Sequence, residues 1–295
     1  MCHRSMKVKV LVFSIIISAL LYLGISVYVA SQLTKPIKSR IEASPNVVSN
    51  NNRVIEFKAS DGLTLRGWFF PNTSKNAVIF VTGLRANRID YGYFTVDIAR
   101  EFISKGYSVL MYDARARGIS DGDRVGFGFT EGQDILGAVK FLEKEGFRQE
   151  SIAIIGNSNG AISLLNTSDK LDDIGAIVAD SAAAEYAPII GNILSKENNI
   201  PTFFDPAVFY FAKTIYGIDI PGVKPIDKVK SKKILFLHGA LDMAIPVENS
   251  RRLLEAAGDG SKLVIFPEGH HIETYKSDPE LYRKEVFKFI DEELK

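Results

Sequence analysis

The sequence predicts an α/β protein, a mostly parallel doubly wound sheet with helices on both faces, preceded by one membrane-crossing helix. Three observations carry this expectation: short apolar runs alternate with helical stretches, the N-terminal segment stays uncharged over a bilayer-spanning length, and a small-residue turn containing a serine joins one apolar run to the next helix. The runs at 77–82, 107–112, 151–155, 174–179, 233–237 and 262–266 read as strands, and 93–105, 131–145, 247–257 and 279–293 as the helices between them. Strands that are apolar throughout belong to parallel sheets sandwiched between helix layers. Ahead of them, 54–58 and 63–70 flank the turn signal Ser60-Asp61-Gly62 and predict an opening hairpin.

Residues 10–33 carry no charge, and at about 1.5 Å per residue they reach across a hydrocarbon core of about 30 Å. A cleaved signal peptide has a shorter apolar core and small residues before the cut, whereas Tyr28 precedes Val29-Ala30 here, so an uncleaved single-pass anchor is expected. Arg4, Lys7 and Lys9 on one side balance Lys35, Lys38 and Arg40 on the other, so the flanking charge assigns no orientation across the membrane. The expected organisation is a basic tail at 1–9, the membrane helix at 10–33, a polar linker at 34–52 and an α/β domain at 53–295.

Between the runs ending at 179 and beginning at 233 lie about fifty residues, too many for an ordinary connection. This insert, about 182–231, carries Tyr186, Phe203, Phe204, Phe209, Tyr210, Phe211 and Tyr216. Lying beyond the carboxyl ends of the strands, it reads both as a small helical lid over an apolar pocket and as a unit with an aromatic core of its own.

The net charge of +1 gives no electrostatic reason to expect a nucleic-acid partner. The single cysteine, Cys2, precedes the folded region, which rules out an internal disulfide and a cysteine-based metal site; no cofactor is expected.

The most informative segment is Gly156-Asn157-Ser158-Asn159-Gly160, set between Ile152-Ala153-Ile154-Ile155 and Ala161-Ile162-Ser163-Leu164-Leu165. A Gly-x-Ser-x-Gly between strand and helix makes a tight turn that lifts the serine hydroxyl clear of the sheet and sets the Asn159 amide at a helix N-terminus. Similar turns also serve as plain connections, so the rest of the chain must supply a base and an acid. His3 precedes the membrane segment, leaving His238, His270 and His271. Asp242 follows the strand at 233–237, and His270-His271 follow the strand at 262–266. Serine, aspartate and histidine thus succeed one another after strand ends, an order suited to an elbow-type nucleophile.

Several blocks then resemble the α/β-hydrolase fold superfamily, in its membrane-anchored bacterial serine-hydrolase branch of esterase-, lipase- and peptidase-like proteins. Tyr112-Asp113-Ala114-Arg115-Ala116-Arg117-Gly118-Ile119-Ser120 resembles the family's Asp-x-Arg-Gly-His-Gly-x-Ser block, and His238-Gly239-Ala240-Leu241-Asp242-Met243-Ala244-Ile245-Pro246 its His-Gly-x-x-Asp-x-x-x-Pro. The resemblance covers about 54–293 and implies Ser158 as nucleophile and Asp242 as orienting acid. For the base there are two neighbours: the family's spacing selects His271, four residues after Pro267, while His270 directly follows Gly269 and is expected to shape or hydrogen-bond the site. The implied oxyanion donors are the backbone amides of Asn159 and Leu84.

The chain departs from the family where Thr82-Gly83 replaces the usual His-Gly, where Ala116-Arg117 replaces Gly-His, and in its elbow asparagines. These changes bear on selectivity more than on chemistry. Arg85, Arg88, Arg115 and Arg117 fall in the same loops, either to meet an anionic substrate group or to pair with Asp90, Asp113 or Asp121. The function expected is hydrolysis of a small-molecule or lipid carboxylic ester, or of a thioester or peptide, at a membrane; the alternative is a non-catalytic module of the same fold that binds lipid or a partner there.

Overall fold

The structure, a computed structural model, describes residues 2–39, 41–90 and 92–294; Arg40, one of the flanking cations, lies outside them. Eight strands form one sheet: β1 (Arg53–Lys58), β2 (Thr64–Phe70), β3 (Ala77–Val81), β4 (Ser108–Asp113), β5 (Ile152–Asn157), β6 (Ala176–Asp180), β7 (Leu235–Gly239) and β8 (Lys262–Phe266). Their order is β1-β2-β4-β3-β5-β6-β7-β8. The opening hairpin pairs Lys58 with Thr64, β2 runs antiparallel to β4, and the strands from β4 to β8 are parallel.

Helices cover both faces because alternate strand residues face opposite ways. On one face Val78 and Phe80 meet Phe102 of α2 (Thr95–Ser104) and Tyr282, Val286 and Ile290 of α9 (Pro279–Glu293). On the other, Ala77, Ile79 and Val81 meet Ile135 and Leu142 of α3 (Gly132–Lys144), Leu164 of α4 (Asn159–Asn166) and Leu253 of α7 (Glu248–Ala256). A third cluster lies beyond the carboxyl ends of the strands, where the insert folds as α5 (Ala187–Lys196) and α6 (Asp205–Tyr216) around Ile190, Val208 and Ala212. A short α8 (Thr274–Ser277) precedes α9.

The N-terminus is a single helix, α1 (Cys2–Leu33), so the basic tail continues the apolar segment without a break. From Met6 to Leu33 its most apolar window has a mean hydropathy of 2.6 and is 6% buried. Near its end α1 packs on the insert: the Tyr22 ring stacks on Phe204 with centroids 5.1 Å apart, and its hydroxyl donates to the Phe203 carbonyl at 3.0 Å. The segment read from sequence as a linker lies against the domain. The Ile37 amide donates to the Ala116 carbonyl at 2.9 Å, the Val125 amide to the Thr34 carbonyl at 3.0 Å, and Val48 is buried with Trp68. Isolated apolar residues among the asparagines and serines suffice to dock it.

Candidate active site

The elbow is built by steric necessity. Ser158 sits at φ 50°, ψ −123°, a strained conformation for a residue with a side chain. A Cβ on Gly156 would lie 2.8 Å from the Ala161 backbone, and one on Gly160 would lie 2.0 Å from the Val81 carbonyl oxygen. Only glycine permits β5, α4 and β3 to approach this closely. The Ser158 amide donates to the Asp180 carbonyl at 2.9 Å, tying the turn to the end of β6.

Ser158, His271 and Asp242 are brought together from three strand ends. Ser158 Oγ lies 2.9 Å from His271 Nε2, and His271 Nδ1 lies 2.7 Å from Asp242 Oδ2. A carboxylate only accepts, so Nδ1 carries the ring proton and Nε2 accepts from the serine hydroxyl. Asp242 Oδ1 accepts the amides of Ala244 and Ile245 at 2.9 and 2.8 Å. Burial works to raise this carboxyl, but hydrogen bonds from His238, from His271 and from the Ile245 amide hold it well below the usual carboxylate range. It therefore remains an anion.

His238 is the supporting residue that sequence reasoning left without a role. Wholly buried, it sets Nε2 2.8 Å from the Ile245 carbonyl and 3.3 Å from Asp242 Oδ2, both acceptors, so Nε2 carries the proton. Its Nδ1 then accepts from the Ser250 hydroxyl at 2.6 Å. The signal was available in the His-Gly-x-x-Asp block, which sets the two side chains four residues apart. His270, by contrast, is exposed and takes no part in this hydrogen-bonded set. Its carbonyl, not its ring, is engaged, accepting the Glu273 amide.

A second buried carboxylate lies close by. Asp180 accepts from the Ser181 hydroxyl at 3.0 Å and from Thr274, and burial pushes it up to about 6. Asn157 Nδ2 donates to Asp90 Oδ2 at 3.1 Å, which gives one elbow asparagine a structural use. The Asn159 side chain is fully buried, while its amide is the first of α4 and so has no partner four residues back within the helix.

Leu84 follows Gly83 in the loop after β3, where a Cβ on Gly83 would lie 3.5 Å from Ser158 Cβ. That loop is braced from below by Arg117. The Arg117 Nε donates to the Leu84 carbonyl at 2.8 Å, and its Nη2 meets Glu131 at 3.0 Å, with both residues buried. Glu131 also accepts the amides of Gly126 and Gly128. The arginine cluster thus turns inward: Arg88 pairs with Asp113 at 2.7 Å and Arg115 with Asp134 at 2.8 Å. Only Arg85 stays open, its side chain 74% exposed and 3.9 Å from Glu197.

Ser158 and His271 line a cavity of about 900 Å³. Its walls are apolar, with Ile189, Ile190, Ile193 and Leu194 from α5, Phe127 and Ile245 from loops, and Tyr28, Val29 and Leu33 from α1. Its polar lining comes from Asp90, Asn87 and Arg85 and also from Gln32, Lys35, Ser39, Glu197 and Asn198. Among the described residues no group of three or more His, Cys, Asp or Glu converges as a metal site.

Comparison with known proteins agrees with this architecture. An uncharacterized Bacillus subtilis protein, YqkD, is 29% identical over 237 residues, 78% of this chain and 76% of its own length. The esterase Pf2001 of Pyrococcus furiosus superposes with a TM-score of 0.75 at 22% identity, covering 89% of this chain and 99% of the esterase. The esterase EaEST of Exiguobacterium antarcticum superposes with a TM-score of 0.60 at 16% identity, covering 81% of this chain and 100% of the esterase; at these identities the likeness is one of fold alone. The family model described as X-Pro dipeptidyl-peptidase (S15 family) matches residues 35–200, more than half of the sequence. The chain belongs to the S15 peptidase family, and with it to the hydrolases of the α/β-hydrolase superfamily.

Proposed function

We propose that this protein is a membrane-anchored serine hydrolase that cleaves a carboxylic ester through an acyl-enzyme on Ser158. The observation that carries the reading is the hydrogen-bonded series from Ser158 Oγ through His271 to Asp242 at the foot of an apolar cavity. His271 Nε2 takes the hydroxyl proton as Oγ attacks the carbonyl carbon, and Asp242 stabilises the imidazolium that forms. The amides of Asn159 and Leu84 receive the oxyanion, each worth about 10² to 10³ in rate. His271 then protonates the leaving alkoxide, and water, activated by the same nitrogen, releases the acid. The apolar side chains that α5 and α1 present to the cavity favour an acyl chain. The segment at 10–33 acts as an uncleaved single-pass anchor, and the insert as a lid.

The family match supports a second reading, hydrolysis at an Xaa-Pro peptide bond by the same three residues. A panel of p-nitrophenyl esters of graded acyl length, run beside Xaa-Pro p-nitroanilides, separates the two. Ester turnover by wild type and none by Ser158→Ala is expected. Cleavage of the anilides alone favours the peptidase, and turnover of neither by a folded protein rejects both.

A further inference from the structure

The cavity over Ser158 is not closed by the catalytic domain alone. One wall is the last turns of α1: Val29, buried, and Tyr28 and Leu33 all line it, and Tyr28 is also 64% exposed. The same helix carries the bilayer-length apolar stretch, with Val10, Leu11, Phe13, Leu20 and Leu21 open on its surface. An ordinary anchor would be joined to its enzyme by a tether. Here the helix is part of the pocket.

The depth of the contact matters. The insert follows α1 from Tyr22 to Leu33, which at 1.5 Å per residue is about 16 Å, roughly half of a hydrocarbon core of about 30 Å. If α1 crosses the bilayer, the insert is carried down beside it to leaflet depth. Its outer face carries large apolar side chains: Phe203, Tyr210 and Ile215 are 62%, 61% and 52% exposed, with Lys213 the cation among them.

We infer that the substrate is a long-chain monoacyl lipid ester drawn from the bilayer, whose chain passes beside α1 into the cavity and lies against Val29, Leu33 and the isoleucines of α5. This rests on the ester-hydrolase reading above and adds to it the source of the substrate and α1 as a binding element. Each methylene moved into an apolar wall adds about fourfold in affinity. A side chain that fills the α1 side of the cavity should therefore act on long chains and spare short ones.

The test uses the full chain in phosphatidylcholine vesicles containing monooleoylglycerol, with p-nitrophenyl decanoate and acetate as soluble probes and fluorophosphonate labelling as the check on folding. Wild type is expected to release oleate. Val29→Trp is expected to lower the decanoate-to-acetate ratio of kcat/KM at least tenfold, as is Leu33→Trp should the first variant not label. Leu20→Trp, on the exposed side of α1, is expected to leave that ratio unchanged. Acetate hydrolysis without oleate release, or a ratio untouched in both wall variants, overturns the inference while leaving the ester-hydrolase reading intact. Absence of labelling and of acetate hydrolysis in wild type is instead a failure of that reading.

Discussion

Asp242→Asn is the substitution whose consequence the geometry defines most closely. Asp242 Oδ1 is held by the amides of Ala244 and Ile245 at 2.9 and 2.8 Å, so an asparagine keeps its oxygen there and turns its NH2 toward the histidines. That NH2 then faces His271 Nδ1 at 2.7 Å and the protonated His238 Nε2 at 3.3 Å. His271 must now accept at Nδ1 and carry its proton on Nε2, the nitrogen 2.9 Å from Ser158. The base is lost while the shape of the site is kept. A wrong tautomer costs about 10⁴ in kcat, or about 5.5 kcal/mol of transition-state stabilisation. The assay is kcat/KM on p-nitrophenyl acetate, with circular dichroism to verify the fold. A loss of less than tenfold would refute the reasoning, and if Asp180→Asn abolished activity instead, Asp180 would be the orienting acid.

Three further outcomes follow from the packing. Gly160→Ala drives a methyl to within 2.0 Å of the Val81 carbonyl oxygen and should cost at least about 1–3 kcal/mol, read as a lowered Tm in detergent; an unchanged Tm would mean the elbow is looser than described. Glu131→Ala strands the buried Arg117 and two glycine amides, for a loss of about 3–5 kcal/mol, whereas Arg85→Ala at an exposed 3.9 Å contact should change Tm little; equal effects would contradict this assignment of the arginines. Burial pushes Asp180 and Asp134 up to about 6 from an ordinary 3.8, so the native chain holds protons there that the unfolded chain has released, and both groups subtract stability as pH rises from about 4 to 6. Asp180→Asn should therefore raise Tm relative to wild type more at pH 7 than at pH 4.5, and an equal difference at both would be contrary to it.

The sheet was legible because its strands are apolar on both faces, a pattern that only a doubly covered parallel sheet imposes: the run read at 77–82 is β3, and that at 262–266 is β8. The elbow was legible for a steric reason, since its glycines occupy positions where any Cβ would collide. Contacts between segments distant in the chain were not. Nothing local marks Arg117 as the brace beneath Leu84 or residues 34–48 as docked against the sheet domain, because each depends on where another loop lies. Pairing of the loop arginines with nearby carboxylates is the reading the sequence favours, and Arg88 does pair with Asp113, but the partner of Arg115 is Asp134 on α3, which the loop sequence does not indicate. The wall formed by Val29 was hidden for the opposite reason, as one valine in a helix apolar on every side.

The central claim is that Ser158 is the nucleophile, and a fluorophosphonate tests it most directly. Wild-type protein treated with the probe and digested should yield one modified peptide carrying the adduct on Ser158, and Ser158→Ala should yield none. A folded wild-type protein that does not react, or an adduct that persists in Ser158→Ala, would contradict the account.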